Sequence, residues 1–235
     1  MALVGFGALT KRASLAQSVD ATSGTLVLTP EMTEGPYWID ERLNRADLIV
    51  DPTDNSVQAG LPLVLTIRVY QVANQTVTAL PGAYVDLWHC NASGLYSDEA
   101  ANNTVGQKWL RGYQASDTQG KVRFLTIYPG WYRGRTPHIH CRVRVLSGGS
   151  LTYNFTTQFF FDEAITDTVY ATAPYSSRTG RDTLNSTDMI YTATDCMTGS
   201  QEGSETMLTL AAQQTYAVAR VNVKLNLSLP NNSTC

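Results

Sequence analysis

The chain has 235 residues, of which 43% are hydrophobic, and its formal net charge is −3 at pH 7. An all-β chain of this length can bury a sizeable core in one domain. No basic stripe is present, so nothing indicates a nucleic-acid partner. No apolar run of 18 residues exists, so no membrane-spanning helix is expected. We therefore expect neither a nucleic-acid partner nor a membrane partner.

The first 30 residues carry little pattern. We interpret 1–30 as an N-terminal propeptide or mobile segment, followed by one domain over 31–235. Met1 to Thr10 lack the basic start and the apolar centre of a signal peptide. Lys11-Arg12 is either a dibasic processing site or an ordinary charged pair.

Several short segments after residue 60 have the composition of strands, with turn residues between them. The clearest is 216–227, where small or apolar residues alternate with mostly polar ones. The predicted strands are 61–70, 83–89, 121–128, 137–146, 154–161 and 216–227. Short helices are predicted at 162–173 and 205–214, and a long polar loop at 174–204. This pattern indicates an all-β fold, a β-sandwich core with short helices and long loops in a single domain.

The strand 137–146 contains a His-x-His motif. His138 and His140 point to the same face because residues two apart on a strand do so, and they can reach one metal ion. Their face is polar and lines a cleft or solvent, while the opposite face is apolar and is expected to join the core. Exposed or hydrogen-bonded histidines are the alternative. Arg142 argues against a His-x-His-x-Asp hydrolase, although an Fe(II) site could draw a carboxylate from elsewhere.

Two tyrosines end distinctive segments near this motif. Tyr96 ends the run 86–96, and Tyr132 closes the run 127–132. Taken singly, each is more often a packing residue. Two phenols and two imidazoles from three nearby segments suit a hard, oxidised metal such as Fe(III).

Together these segments resemble the intradiol ring-cleavage dioxygenases, non-haem Fe(III) enzymes that open catechols between the two hydroxyls. The resemblance runs from Thr33 to about Phe161. Its strongest stretches are 110–114, 117–120 and 128–140. Within the family, the chain is most similar to a secreted, fungal-type branch. The similarity lies in the sequence of residues 88–96 and in the lack of a long helical N-terminal domain.

The resemblance implies a role for each matching residue. The implied ligands of one Fe(III) ion per chain are Tyr96, Tyr132, His138 and His140. The implied catalytic residues are Tyr132, Arg135 and Gln158, and the implied substrate contacts are Tyr37, Arg135 and Trp131. The expected partners are a small aromatic diol and O2, the expected product is a cis,cis-muconate-type diacid, and the expected state is a monomer. The alternative is a secreted, non-catalytic β-sandwich module that binds aromatics or glycans.

Sequons and cysteines predict a secreted, extracellular glycoprotein. Asn-x-Ser/Thr sequons begin at Asn74, Asn91, Asn102, Asn154, Asn185, Asn226, Asn231 and Asn232. The four cysteines allow three pairings. Our preferred pairing joins Cys196 to Cys235, whereas Cys141 lies on the apolar strand face as a candidate buried thiol. His89 is expected to be partly buried and hydrogen-bonded.

Overall fold

In a computed structural model of the chain, residues 27–212 and 215–229 are described, and two β-sheets form the body of the protein. The strands are β1 (Pro62–Ala73), β2 (Thr76–Ala79), β3 (Tyr84–Trp88), β4 (Arg111–Ala115), β5 (Lys121–Ile127), β6 (His138–Ser147), β7 (Ser150–Phe160), β8 (Thr209–Ala212) and β9 (Ala217–Leu225). The α-helices are α1 (Glu163–Tyr170) and α2 (Glu202–Glu205). Three short 3-10 turns lie at Ala100–Asn102, Tyr175–Ser177 and Asn185–Thr187. This is the predicted β-sandwich.

The two sheets differ in their strand order. The first has the order β2-β1-β9-β8, and β5 also pairs with β1. In that sheet β1 and β9 run parallel, and the other pairs are antiparallel. The second has the order β4-β3-β6-β7 and is antiparallel throughout.

The apolar faces of both sheets meet in one core. On β6, the expected alternation holds: Ile139, Cys141 and Val143 are fully buried in this core. On β9, Ala217, Ala219, Val223 and Leu225 are equally buried. Because side chains alternate along a strand, burying these residues turns His138 and His140 to the outer face of the second sheet.

Most predicted strands are confirmed, but the helix predicted over 205–214 is wrong. The helix is only Glu202–Glu205, and Thr209–Ala212 instead pairs antiparallel with β9. Leu210 and Ala211 favour a helix intrinsically, but pairing with a neighbouring strand overrides that weak preference. The strands β2 and β4 were not predicted because, at four and five residues, they are too short for a clear pattern. The helix predicted at 162–173 is α1, which begins after the N-cap residue Asp162.

The predicted terminal features fall partly outside the described residues. Of the predicted segment 1–30, residues 1–26, including Lys11-Arg12, lie outside the described residues. Leu28 is buried, and the N–H of Thr29 donates to the carbonyl oxygen of Lys224. Cys90 and Cys141 are buried free thiols. Cys196 is disulfide-bonded, and its expected partner Cys235 is not among the described residues.

Candidate metal centre

A row of four side chains crosses the outer face of the second sheet. His140 is directly opposite Trp88 on one side and Gln158 on the other, and Trp88 is opposite Arg111. Directly opposite residues of an antiparallel pair share a face. The register therefore brings Arg111, Trp88, His140 and Gln158 together, although they are far apart in the chain.

The two histidine rings are held in different ways. His138 Nδ1 lies 2.7 Å from the carbonyl oxygen of Thr136, so this nitrogen carries the proton and Nε2 presents a lone pair. The His140 ring stacks on Trp88 with centroids 4.8 Å apart and an interplanar angle of 7°. The Nδ1 atom of His140 is buried without a hydrogen-bond partner, so stacking on Trp88 sets the orientation of this ring.

Close backbone contacts bring the two tyrosines together. A Cβ on Gly130 would lie 2.4 Å from the carbonyl oxygen of Ala92 and 2.5 Å from that of Asn91, so only glycine fits there. This contact joins the loop before Tyr96 to the loop before Tyr132. The two phenol rings meet edge to face, with centroids 5.8 Å apart.

Three of the four candidate donor atoms converge directly. His138 Nε2 lies 3.1 Å from His140 Nε2 and 3.2 Å from the Tyr132 hydroxyl oxygen. The fourth donor is the buried hydroxyl of Tyr96, which makes no hydrogen bond of acceptable geometry. A buried polar atom without a partner is costly unless something else satisfies it. Convergent nitrogen and oxygen donors, one of them unpaired, fit a metal ion.

Burial sets the protonation of these four groups. It lowers the pKa of His138 and of His140 well below the ordinary value, so both rings are neutral and can act as ligands. Burial raises the pKa of Tyr96 well above the ordinary value. Burial also raises the pKa of Tyr132, to about 12, although the nearby positive charge of Arg135 acts to lower this pKa. A cation of high charge would be needed to hold both phenols deprotonated at neutral pH.

The segment around Tyr37 covers the tyrosines. Tyr37 stacks on Tyr96 with centroids 4.3 Å apart and contacts Tyr132 edge to face at 6.2 Å. The buried guanidinium of Arg111 donates to the carbonyl oxygen of Tyr37 at 2.6 Å and to that of Ser97 at 2.7 Å. Arg111 thus ties this covering segment to the loop that carries Tyr96.

Arg135 and Gln158 form one hydrogen-bonded unit beside the histidines. Arg135 donates from Nη2 to Gln158 Oε1 at 2.5 Å, and its Nη1 lies 3.4 Å from His138 Nε2. Gln158 donates to the carbonyl oxygen of Thr33 at 2.8 Å. The Nε atom of Arg135 donates to Asp188 at 2.8 Å. The predicted inward direction of Arg135 is therefore seen, and its catalytic role stays a prediction.

The Trp131 ring contacts Arg178 rather than the candidate ligands. The ring packs under the guanidinium of Arg178, 4.3 Å from the centroid, and substrate contact by Trp131 stays a prediction. His89 is fully rather than partly buried, and its nitrogens lie 2.8 Å from the Cys90 carbonyl oxygen and 2.6 Å from the Thr126 hydroxyl. His89 is thus hydrogen-bonded as expected and takes no part in the centre.

The sequence reading missed the roles of three neighbours. Trp88 was placed only in the predicted strand 83–89, Arg111 only in the stretch 110–114, and Asp188 only in the predicted polar loop 174–204. Strand register alone could have placed Trp88 and Arg111. Nothing in the sequence around Asp188 indicates its contact with Arg135.

The donor set also bears on the carboxylate alternative. Within residues 27–212 and 215–229, no three His, Cys, Asp or Glu side chains are grouped so that they could hold a metal ion. The two-His-one-carboxylate site of many Fe(II) oxygenases requires such a group. Among the described residues, the oxygen donors beside the two histidines are instead the phenols of Tyr132 and Tyr96.

Family comparison gives the class of protein. The Dioxygenase_C family, described as dioxygenases, matches residues 33–180. The chain belongs to this family of intradiol ring-cleavage dioxygenases. A chlorocatechol 1,2-dioxygenase of Pseudomonas putida is 26% identical over 55% of this chain and 52% of the relative. The chain thus matches about half the length of that curated relative.

Solved structures share the fold. An intradiol ring-cleavage dioxygenase from Tetranychus urticae is 29% identical, with a TM-score of 0.73 over 88% of this chain and 98% of the other. The dioxygenase domain of a carbohydrate-binding fusion protein from Streptomyces sp. SirexAA-E is 22% identical, with a TM-score of 0.58 over 85% of this chain and 99% of the other. These structures come from a mite and a bacterium, and membership of a fungal-type branch stays a prediction.

Proposed function

We propose that this protein uses Fe(III) and O2 to cleave a catechol-type ring between its two hydroxyls, giving a cis,cis-muconate-type diacid. The observation that carries the proposal is the convergence of two neutral imidazoles and the Tyr132 phenol, with the buried and unpaired Tyr96 phenol packed beside them. Family membership supports the same chemistry. It also disfavours the non-catalytic binding module, which would require this donor set to be a coincidence.

The four donors fit the proposed metal. His138, His140, Tyr96 and Tyr132 would hold one ferric ion per chain, since phenolate is a hard anionic donor and imidazole also suits iron. When bound, the ion would act as a Lewis acid and a template for the diol. The two neutral histidines can ligate at neutral pH without first losing a proton.

The two tyrosines are not equivalent, and we assign them different tasks. Tyr96 is 2% exposed, whereas Tyr132 is only part-buried. A group that takes a proton from an incoming diol must be reachable by it. We therefore assign proton acceptance to the hydroxyl oxygen of Tyr132 and a permanent ligand role to Tyr96.

Arg135 and Gln158 would act on the bound ring. The guanidinium is part-buried beside His138 and is held by hydrogen bonds to Gln158 and Asp188. A fixed positive group in a water-poor site stabilises negative charge that develops during reaction. Tyr37, stacked on Tyr96, is the proposed substrate contact at the covering segment.

The test is product analysis with catechol and a small panel of substituted catechols under 18O2. Adding both atoms of O2 to catechol balances as muconic acid, so the expected product carries two labelled oxygens. We expect Arg135→Ala to retain iron and to lose about 10²-fold in rate. Arg133→Ala is the matched control, because the Arg133 side chain is 94% exposed and lies two residues away.

Two results would contradict the proposal. A semialdehyde product would mean extradiol cleavage. Tight binding of a catechol without turnover, in protein that contains about one iron per chain, would favour the binding module instead.

We also propose that the protein is secreted and glycosylated. Cys196 is disulfide-bonded, which is common in oxidising compartments and rare in the cytosol. Asn74, in the turn between β1 and β2, is exposed and free to carry a glycan. Among the described residues, no helix is long and apolar enough to cross a membrane.

A further inference from the structure

A buried carboxylate lies behind Arg135, on the side away from the histidines. Asp188 has no exposed surface. One of its oxygens accepts hydrogen bonds from Arg135 Nε and from the N–H of Thr136, both at 2.8 Å. The other accepts from the N–H groups of Ile190 and Tyr191, at 2.8 and 3.1 Å. Four donors hold this carboxylate in one orientation.

The contact with Asp188 limits how the guanidinium can lie. A guanidinium is a planar, rigid fork, so fixing Nε fixes the directions of both Nη atoms. Those atoms face Gln158 Oε1 at 2.5 Å and His138 Nε2 at 3.4 Å. Without Asp188, nothing would hold the Nε atom, and the guanidinium could rotate about its hydrogen bond to Gln158.

The segment 182–191 braces the same stretch of backbone at two further points. The hydroxyl of Thr136 donates to Asn185 Oδ1 at 2.7 Å, and Asn185 in turn donates to the carbonyl oxygen of Phe161 at 2.9 Å. The N–H of Gly134 donates to Asp182 at 3.2 Å. Residues 134–136, which are separated from His138 by Pro137 alone, are therefore held from one side by a segment about 50 residues later.

We propose that Asp188 is a positioning residue, which aligns Arg135 with the reacting ring and touches neither the metal nor the substrate. This inference rests on the proposed function, because it assigns a cause to the orientation of Arg135 in that reaction. A small displacement of a catalytic group can lower the rate by up to about 10²-fold. The expected effect of losing Asp188 is therefore on kcat, with KM changed much less.

The test is a double-mutant cycle with Asp188→Asn, Arg135→Met and the double variant, each loaded with iron. Asparagine keeps an oxygen for Ile190 and Tyr191 but turns an N–H group toward Arg135. We expect Asp188→Asn to lower kcat about 10- to 100-fold alone and by less than about twofold when Arg135 is already methionine. Asp182→Asn is the matched control, since its exposed carboxylate serves the same segment without touching Arg135.

Two outcomes of the cycle would overturn the inference. One is an equal loss of kcat from Asp188→Asn in both backgrounds, which means that Asp188 acts through general folding. The other is loss of iron and of the visible tyrosinate absorption in Asp188→Asn, which means that it supports the ligands themselves.

A second measurement needs neither turnover nor a folded Asp188 variant. In the 15N-labelled, iron-free full chain, the Nε–H of Arg135, assigned by its loss in Arg135→Lys, should exchange with solvent much more slowly than that of exposed Arg133. Equally fast exchange would overturn the positioning role. Failure of the unsubstituted protein to turn over any catechol would instead defeat the proposed function, and the exchange measurement would still decide the role of Asp188.

Discussion

Acid should destabilise this protein through His89. This side chain is 1% exposed, and burial lowers its pKa from the ordinary 6.5 to about 4. On acidification the unfolded chain takes up the proton first. The stability that neutral His89 contributes is therefore fully present above pH 6.5 and is lost as the pH falls toward 4. A shift of this size corresponds to about 3 kcal/mol.

The assay is urea unfolding of the iron-free protein at pH 7, 5.5 and 4. His138 and His140 act in the same direction, because burial lowers their pKa values too. The comparison is therefore with His89→Gln, which cannot titrate. In this variant, the loss of unfolding free energy between pH 7 and pH 4 should be smaller by about 3 kcal/mol.

Thr126→Val is the matched control. It removes the hydroxyl that lies 2.6 Å from His89 Nε2 but leaves the histidine buried. This variant should be less stable at every pH and should keep most of the acid sensitivity. If His89→Gln loses as much stability on acidification as the unsubstituted chain, the reasoning about His89 is refuted.

Three further predictions follow from the site and the surface. Tyr96→Phe should lose iron or the visible tyrosinate absorption, whereas Tyr132→Phe should keep iron and form product slowly. Metal analysis and kinetics measure the two effects. Equal loss of iron in both variants would contradict the division of roles. Gly130→Ala should lower the unfolding free energy in urea by about 1–3 kcal/mol or more, because its Cβ would meet two carbonyl oxygens; a change near zero would be the contrary result. After expression in a eukaryotic secretory host, peptide mapping should find a glycan on exposed Asn74 and none on Asn185. Asn185 is buried, and its Oδ1 and Nδ2 atoms are both hydrogen-bonded. An unmodified Asn74 would count against the proposal that the protein is secreted.

The sequence by itself determined the faces of the strands and the types of donor. The alternation over 137–146 predicted that Ile139 and Cys141 enter the core and that His138 and His140 share the other face, and both are observed. Alternation is a local property with a period of two, so it can be read without knowing which strands are neighbours. It did not reveal that the histidine face is covered, because the covering segments come from distant parts of the chain.

Only the tertiary structure decided what surrounds the donors. Trp88 and Gln158 flank His140 because of strand register, which depends on pairing between strands and not on any one of them. Asp188 reaches Arg135 across about 50 residues, from a segment whose sequence gives no sign of it. For the same reason, residues 209–212 form a strand where local preference indicated a helix. Long-range pairing supplies free energy that no local pattern records, so the partners of the predicted ligands appear only once the chain is folded.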